Sequence, residues 1–109
     1  MRRHTVIILP AAEWEIGKAY EWIASRDADA AVRWYNRLLE VIFSLDTFPE
    51  RAPLAPESQS LKREIREVFH GRRQHKYRIL FTLLNNEVHV LHVRHGARLA
   101  WGEIEPTEE

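Results

Sequence analysis

Apolar residues along this chain keep two rhythms, and the change from one to the other divides it into a helical half and a strand half. Ala12, Ile16, Ala19, Tyr20 and Ile23 recur every three or four positions and define one face of a helix. Pro10 suits the first turn of that helix, where its missing N–H leaves nothing unpaired. Trp14 and Trp22 flank the apolar face and are expected to widen it. A second helix follows "SRDADAA", with Asp27 or Asp29 as its cap and Ala31, Tyr35, Leu38, Ile42 and Leu45 as its stripe. The two form a helical hairpin with apolar faces turned to a common core. Thr5 to Leu9, ahead of Pro10, reads as a strand.

Beyond Phe48 the rhythm changes. "DTFPERAPLAPESQS" carries Pro49, Pro53 and Pro56, which ends the second helix and predicts a stiff, irregular loop. Leu61 to Phe69 alternates imperfectly and predicts a strand; "GRRQHK" interrupts it. The run "KYRILFTLLNNEVHVLHVRHGARLAW" then reads as a hairpin about Asn85 and Asn86, because asparagine tolerates the positive φ of a two-residue turn. With that turn, Leu84 faces Glu87 and Arg78 faces Val93, and directly opposed residues share a side of the sheet. One side then carries Tyr77, Ile79, Phe81, Leu83, Val88, Val90, His92 and Arg94 and packs on the helices. The other, wetter side carries Arg78, Leu80, Thr82, His89, Leu91, Val93 and His95. A slip of one residue would exchange these sides for one strand.

These elements predict an α+β fold: an N-terminal strand, a helical hairpin, then a three-stranded antiparallel meander with the helices on one face of the sheet. Residues 1–109 read as a single domain, which the length of 109 residues supports. No apolar run approaches the roughly 20 residues of a membrane span, so no membrane association is expected. There is no cysteine, which excludes disulfides and thiolate metal sites and agrees with a cytoplasmic location.

Net charge is zero, yet its distribution changes the picture. Residues 1–61 hold seven Lys/Arg against nine Asp/Glu, residues 62–98 hold nine against three, and residues 99–109 hold four glutamates and no base. Five of the six histidines fall in the basic segment. Arg72, Arg73, His75, Lys76, Arg78, His95 and Arg98 therefore gather near the open end of the hairpin. Arginine binds phosphate oxygens in pairs and stabilises developing negative charge, and histidine titrates near neutrality. Such a set suits a phosphodiester. RNA supplies its own 2′-OH nucleophile, so neither a metal nor another cofactor is expected. The spacing "HVLHVRH" lacks the Asp or Cys partners of a metal site. His92 reads as a structural histidine and His89 as a solvated one. Surface Arg and Lys that merely keep a protein soluble are the ordinary alternative.

The strand before "LPAAEWEIGKAYEWIA", the Ala-rich helix of "DADAAVRWYNRLLEVIFSLDTFPE", and above all "YRILF" followed by "VLHVRHGAR" resemble a toxin of the RelE/ParE superfamily from bacterial type II toxin–antitoxin modules. The resemblance covers roughly residues 4–101. It implies a growth-inhibiting toxin neutralised by a small cognate antitoxin with an acidic or amphipathic segment, steered towards the basic region 62–98. For the ribosome-dependent mRNA endonucleases of the RelE branch, it implies cleavage residues at Arg78 and at His95 or Arg98. Arg72 and Arg73, with Lys76, then lie where the nucleic acid or target binds. Several members of that branch carry a tyrosine near the C-terminus, where this chain has Trp101, Ile104 and an acidic tail. ParE-branch toxins lack the nuclease set and inhibit DNA gyrase, and the absent tyrosine favours that target over ribosome and mRNA.

Overall fold

Pro10 does begin the first helix: in the computed structural model, which describes residues 3–71 and 76–96, strand β1 (Thr5–Ile8) passes through Leu9 directly into helix α1 (Pro10–Ala24). Helix α2 (Ala28–Phe43) starts at Asp27, whose Oδ1 accepts a hydrogen bond from the Ala30 N–H at 3.1 Å, so Asp27 rather than Asp29 is the cap. The helices meet along Tyr20 and Tyr35, whose rings pack edge to face at 5.8 Å. Trp14 and Trp22 do not widen the apolar face; they are 65% and 50% exposed on the outside of α1.

The proline-rich loop contains a helix that its composition conceals. Helix α3 (Glu57–Leu61) follows Pro56 and ends at Lys62, whose positive φ stops it. The strand expected from Leu61 is accordingly shorter: β2 spans Arg66–His70. β3 (Tyr77–Leu84) and β4 (Glu87–His95) form the hairpin, with Asn85 at φ 58° in its turn. The sheet order is β1-β4-β3-β2, and β1 joins β4 in parallel, so the antiparallel meander becomes part of a mixed four-stranded sheet.

The expected register holds from the turn to Phe81↔Val90 and then fails. Leu91 is an extra residue, a β-bulge, and beyond it Leu80 faces His92, Ile79 faces Val93, Arg78 faces Arg94 and Tyr77 faces His95. The cause lies in packing. The bulge lets Val93 join Val88 and Val90 in the core against Ala12, Ile16, Leu38, Ile42 and Leu45, while Leu91 turns the other way to Leu80. Burying one such valine contributes about 1.5–3 kcal/mol, more than a single missing ladder hydrogen bond of about 1 kcal/mol.

The sheet is thus covered on both sides. The helical hairpin packs on one face, and Ala55, Leu61 and Ile65 of the α3 segment pack with Leu80 and Leu91 on the other. Thr82 Oγ1 donates to the Glu64 carbonyl at 2.8 Å and fastens that segment to β3.

The open end of the hairpin is closed by the Gly96 N–H donating to the Lys76 carbonyl at 2.7 Å. A Cβ on Gly96 would lie 2.9 Å from that carbonyl oxygen, which is backbone and cannot swing away. Gly96→Ala is therefore expected to destabilise the fold by about 1–3 kcal/mol, seen as a lower urea midpoint at unchanged m-value.

Candidate functional site

Arg78 sits on the face covered by α3, and it is not presented to solvent. It is 9% exposed and lies against Glu57, which is 2% exposed. Its Nη1 and Nη2 donate to the two Glu57 oxygens, each at 2.8 Å, in a two-pronged pair. Its Nε and Nη2 also donate to Glu67 Oε1 at 3.0 and 2.7 Å. Four of its five donors are thereby used within the fold. The hydrogen bonds it donates to Glu57 raise the guanidinium pKa well above its usual value; burial opposes this, and Glu67 adds to it.

His95 lies elsewhere. The bulge puts it opposite Tyr77, on the helix side of the sheet, so Arg78 and His95 do not share a face. Tyr77 is the middle of a row that crosses three strands, His70–Tyr77–His95. The Tyr77 and His95 rings pack edge to face at 5.3 Å, and Trp34 of α2 meets Tyr77 at 5.2 Å and His70 at 6.2 Å. Burial lowers the His70 pKa; a hydrogen bond with the Trp34 backbone opposes this, and the charge of Arg37 adds to the lowering. Lys76 is exposed, with its ammonium 5.5 Å from the centre of the Phe69 ring. Arg72, Arg73 and Arg98, with His75 and Trp101, lie outside the described residues.

A third cluster marks where β1 ends and β4 continues. Glu15 of α1 reaches across to the exposed edge of β4. Its Oε1 accepts from the Val93 N–H at 2.9 Å, Oε2 lies 3.1 Å from His92 Nδ1, and Arg94 Nε donates to Oε2 at 3.3 Å. Burial pushes the Glu15 pKa up, but the bonds from His92 and Val93 and the charges of His92 and Arg94 outweigh it, and the net shift is downward. His92 is thus a satisfied structural histidine, but the bulge sets it opposite Leu80 and not on the helix side expected, and His89 is held at 2.8 Å by Glu87. Among the described residues no group of three or more His, Asp or Glu is placed to hold a metal ion. No helix there is long and apolar enough to cross a membrane.

Glu57, Glu67 and Glu15 escaped the sequence reading because their partners lie 11 to 79 positions away. The only local hint for Glu57 was an acidic residue directly after Pro56, where a helix N-terminus favours one. The second large feature is a groove of about 750 Å³ between the helices, lined by Ile8, Ile16, Gly17, Tyr20, Val32 and Tyr35 among others, with Glu13 and Glu21 at its side. Gly17, in the middle of α1, forms part of its wall, and a Cβ placed there would touch nothing within 4 Å among the described residues.

The buried pair yields one expectation and the titrating groups another. Arg78→Ala strands the Glu57 carboxylate and should cost about 3–5 kcal/mol, whereas Arg78→Met combined with Glu57→Leu should recover much of that loss in denaturant unfolding. His70 has a folded pKa below its ordinary 6.5, so its neutral form is favoured and stability erodes as pH drops below that value. Glu15 has a folded pKa below 4.5, so its contribution is present above that pH and is lost as pH falls through the folded value. Glu15→Gln should abolish the second, more acidic loss and leave the first, measured as urea stability against pH.

Comparison with known proteins agrees with this architecture. Residues 6–100 match the family model described as ParE toxin of type II toxin-antitoxin system, parDE. A solved chain from the "Chromosomal ParDE TA system from P. aeruginosa" superposes with a TM-score of 0.67 at 11% identity, covering 85% of this chain and 96% of that one. At that identity the likeness concerns the fold. No curated protein matches the chain. With the family model spanning most of its length, the chain belongs to the ParE toxin family of type II toxin–antitoxin systems.

Proposed function

We propose that this toxin acts by binding rather than by cutting RNA, with DNA gyrase as its target and a cognate antitoxin as its neutralising partner. The observation that carries the reading is the engagement of Arg78. An arginine that stabilises charge on a scissile phosphate has to offer its donors to that phosphate when charge develops. Here the donors meet two carboxylates, and the α3 segment covers the face on which they lie. A phosphate approaching Arg78 would have to displace Glu57 and would then meet both carboxylates at close range.

The alternative, a ribosome-dependent mRNA endonuclease using Arg78, His95 and Arg98, requires that displacement. It also requires Arg78 and His95 to act from opposite faces of the sheet. Purified toxin is expected to inhibit gyrase supercoiling and to leave mRNA intact on ribosomes that a control toxin cleaves. The reading fails if mRNA is cut, or if folded toxin at excess leaves supercoiling unchanged.

The antitoxin reading rests on the groove between α1 and α2. A glycine inside a helix costs about 0.5–1 kcal/mol relative to alanine, and among the described residues nothing occupies the space that an alanine methyl would take. That space suits the close approach of another chain. The occupant is an amphipathic antitoxin segment with its apolar side on Ile16, Tyr20, Val32 and Tyr35 and basic residues near Glu13 and Glu21. An acidic stretch of the same antitoxin suits the basic region 62–98. Gly17→Ala should stabilise the free toxin by a few tenths to about 1 kcal/mol. Gly17→Leu should leave folding intact yet weaken antitoxin binding tenfold or more by calorimetry, and equal affinity would remove the groove from consideration.

A further inference from the structure

The outer surface of α1, continued by the turn after it, carries a pattern that neither the core nor the Arg78 cluster uses. Trp14, Lys18 and Trp22 follow one another at steps of four along α1, and Arg26, in the turn just past the helix, continues the row with its guanidinium donating to the Trp22 carbonyl at 3.3 Å; the row is about 18 Å long and alternates indole and cation. Trp14 and Trp22 are 65% and 50% exposed. Each has the next cation over its ring: Lys18 Nζ lies 5.5 Å from the Trp14 ring centre, and Arg26 Cζ lies 3.9 Å from that of Trp22. Single exposed apolar residues need no explanation. Two tryptophans on one ridge, each accompanied in the same way, are a repeated arrangement.

The ridge has a symmetry of its own. Turned end for end about an axis between Lys18 and Trp22, it reads indole against cation at all four positions. Trp14 of one copy meets Arg26 of the other, and Lys18 of one meets Trp22 of the other. A surface that complements itself under a two-fold axis is what an isologous contact requires. The steps of four are the ridges that pack in the commonest helix-pair geometry, with axes crossing at roughly 50°. Run parallel instead, the ridge would set tryptophan on tryptophan and, less favourably, Lys18 on Lys18 and Arg26 on Arg26. The groove residues Glu13, Gly17 and Glu21 occupy the neighbouring ridge, and the two surfaces meet where Lys18 Nζ donates to Glu21 Oε1 at 3.4 Å.

We propose that α1 pairs antiparallel with α1 of a second copy of this chain through Trp14, Lys18, Trp22 and Arg26. One helix pair buries on the order of 1,000 Å² or less, which places the contact in the weak, reversible class. The tryptophans are its anchors, and each indole is held between its own cation and one from the other copy. Nothing in this proposal depends on which target the toxin acts on.

Sedimentation velocity on the toxin alone, from micromolar to millimolar concentration, is expected to show a reversible monomer–dimer equilibrium. Trp22→Ala should weaken it tenfold or more with an unchanged far-UV circular dichroism spectrum, since the residue lies outside the core. The chain has no cysteine, so orientation can be tested directly. Lys18→Cys mixed with Trp22→Cys should form a disulfide-linked dimer on mild oxidation, more readily than either variant alone. A toxin that stays monomeric at millimolar concentration overturns the proposal. So does Lys18→Cys linking to itself in preference to the mixed pair, which reports the parallel arrangement. Association that appears only with antitoxin present, and is weakened by Trp22→Ala, assigns the ridge to the antitoxin and overturns it equally.

Discussion

The extra residue in β4 decides what every side chain near the open end of the sheet does. Up to Val90 the hairpin follows simple alternation, with Phe81, Val88 and Val90 inward. Without the bulge at Leu91, Val93 would face the same side as Arg78, and the helical core would lose a buried residue. With it, Leu91 joins Leu80 under the α3 segment and Val93 joins the main core, so both apolar side chains find apolar surroundings. The consequence for chemistry is immediate: His95 moves to the helix side beside Tyr77, and Arg78 remains on the side that α3 covers. One inserted residue separates an arginine and a histidine that a regular ladder would have set on one face.

The arginine's isolation is completed by the segment between α2 and β2. A buried guanidinium is tolerable only when its donors are met, and Glu57 meets two of them from a helix that packs Leu61 against the sheet, with Ile65 following it. The charge pair and the small apolar cluster hold the same segment in place, each making the other's geometry possible. Glu67 on the neighbouring strand adds a second carboxylate within hydrogen-bonding distance of the same group. This is the arrangement of a fastening. It accounts for the arginine of the "KYRILF" strand without calling on substrate.

How much of this the sequence disclosed follows from the range of each interaction. The helices were legible from periodicity, their start from Pro10 and from the choice between Asp27 and Asp29, and the turn from Asn85 and Asn86, because these depend on residues within a few positions of one another. The family was legible from a run of residues in the strand half. Helix α3 was not, because a five-residue helix among three prolines has no periodicity to detect. The bulge was not, because the competition that creates it is between two cores that exist only after folding. The buried carboxylates were not, because charge in sequence is blind to which charges will be neutralised: Arg78 counted towards the basic segment, and its partners Glu57 and Glu67 lie on either side of that segment's boundary.

Helix α1 shows how a small toxin distributes several tasks over one element. Its inner ridge, Ala12 and Ile16, belongs to the core, and those positions are closed to change. Glu15, on one flank, caps the Val93 N–H where β1 has ended, which satisfies a sheet edge that would otherwise invite pairing with another strand. Gly17 on the other flank leaves space in the groove. The outward ridge keeps two tryptophans in water, each beside its own cation. In a chain of 109 residues an indole left in water forgoes the burial its area could have contributed to the core, and α1 does this twice on one side. The same reasoning applies to the glycine, whose absent methyl is a local loss of stability with no internal return. The proposed contacts of α1 with other chains would account for both features, with the sheet beneath it, fastened on both faces, as their rigid support.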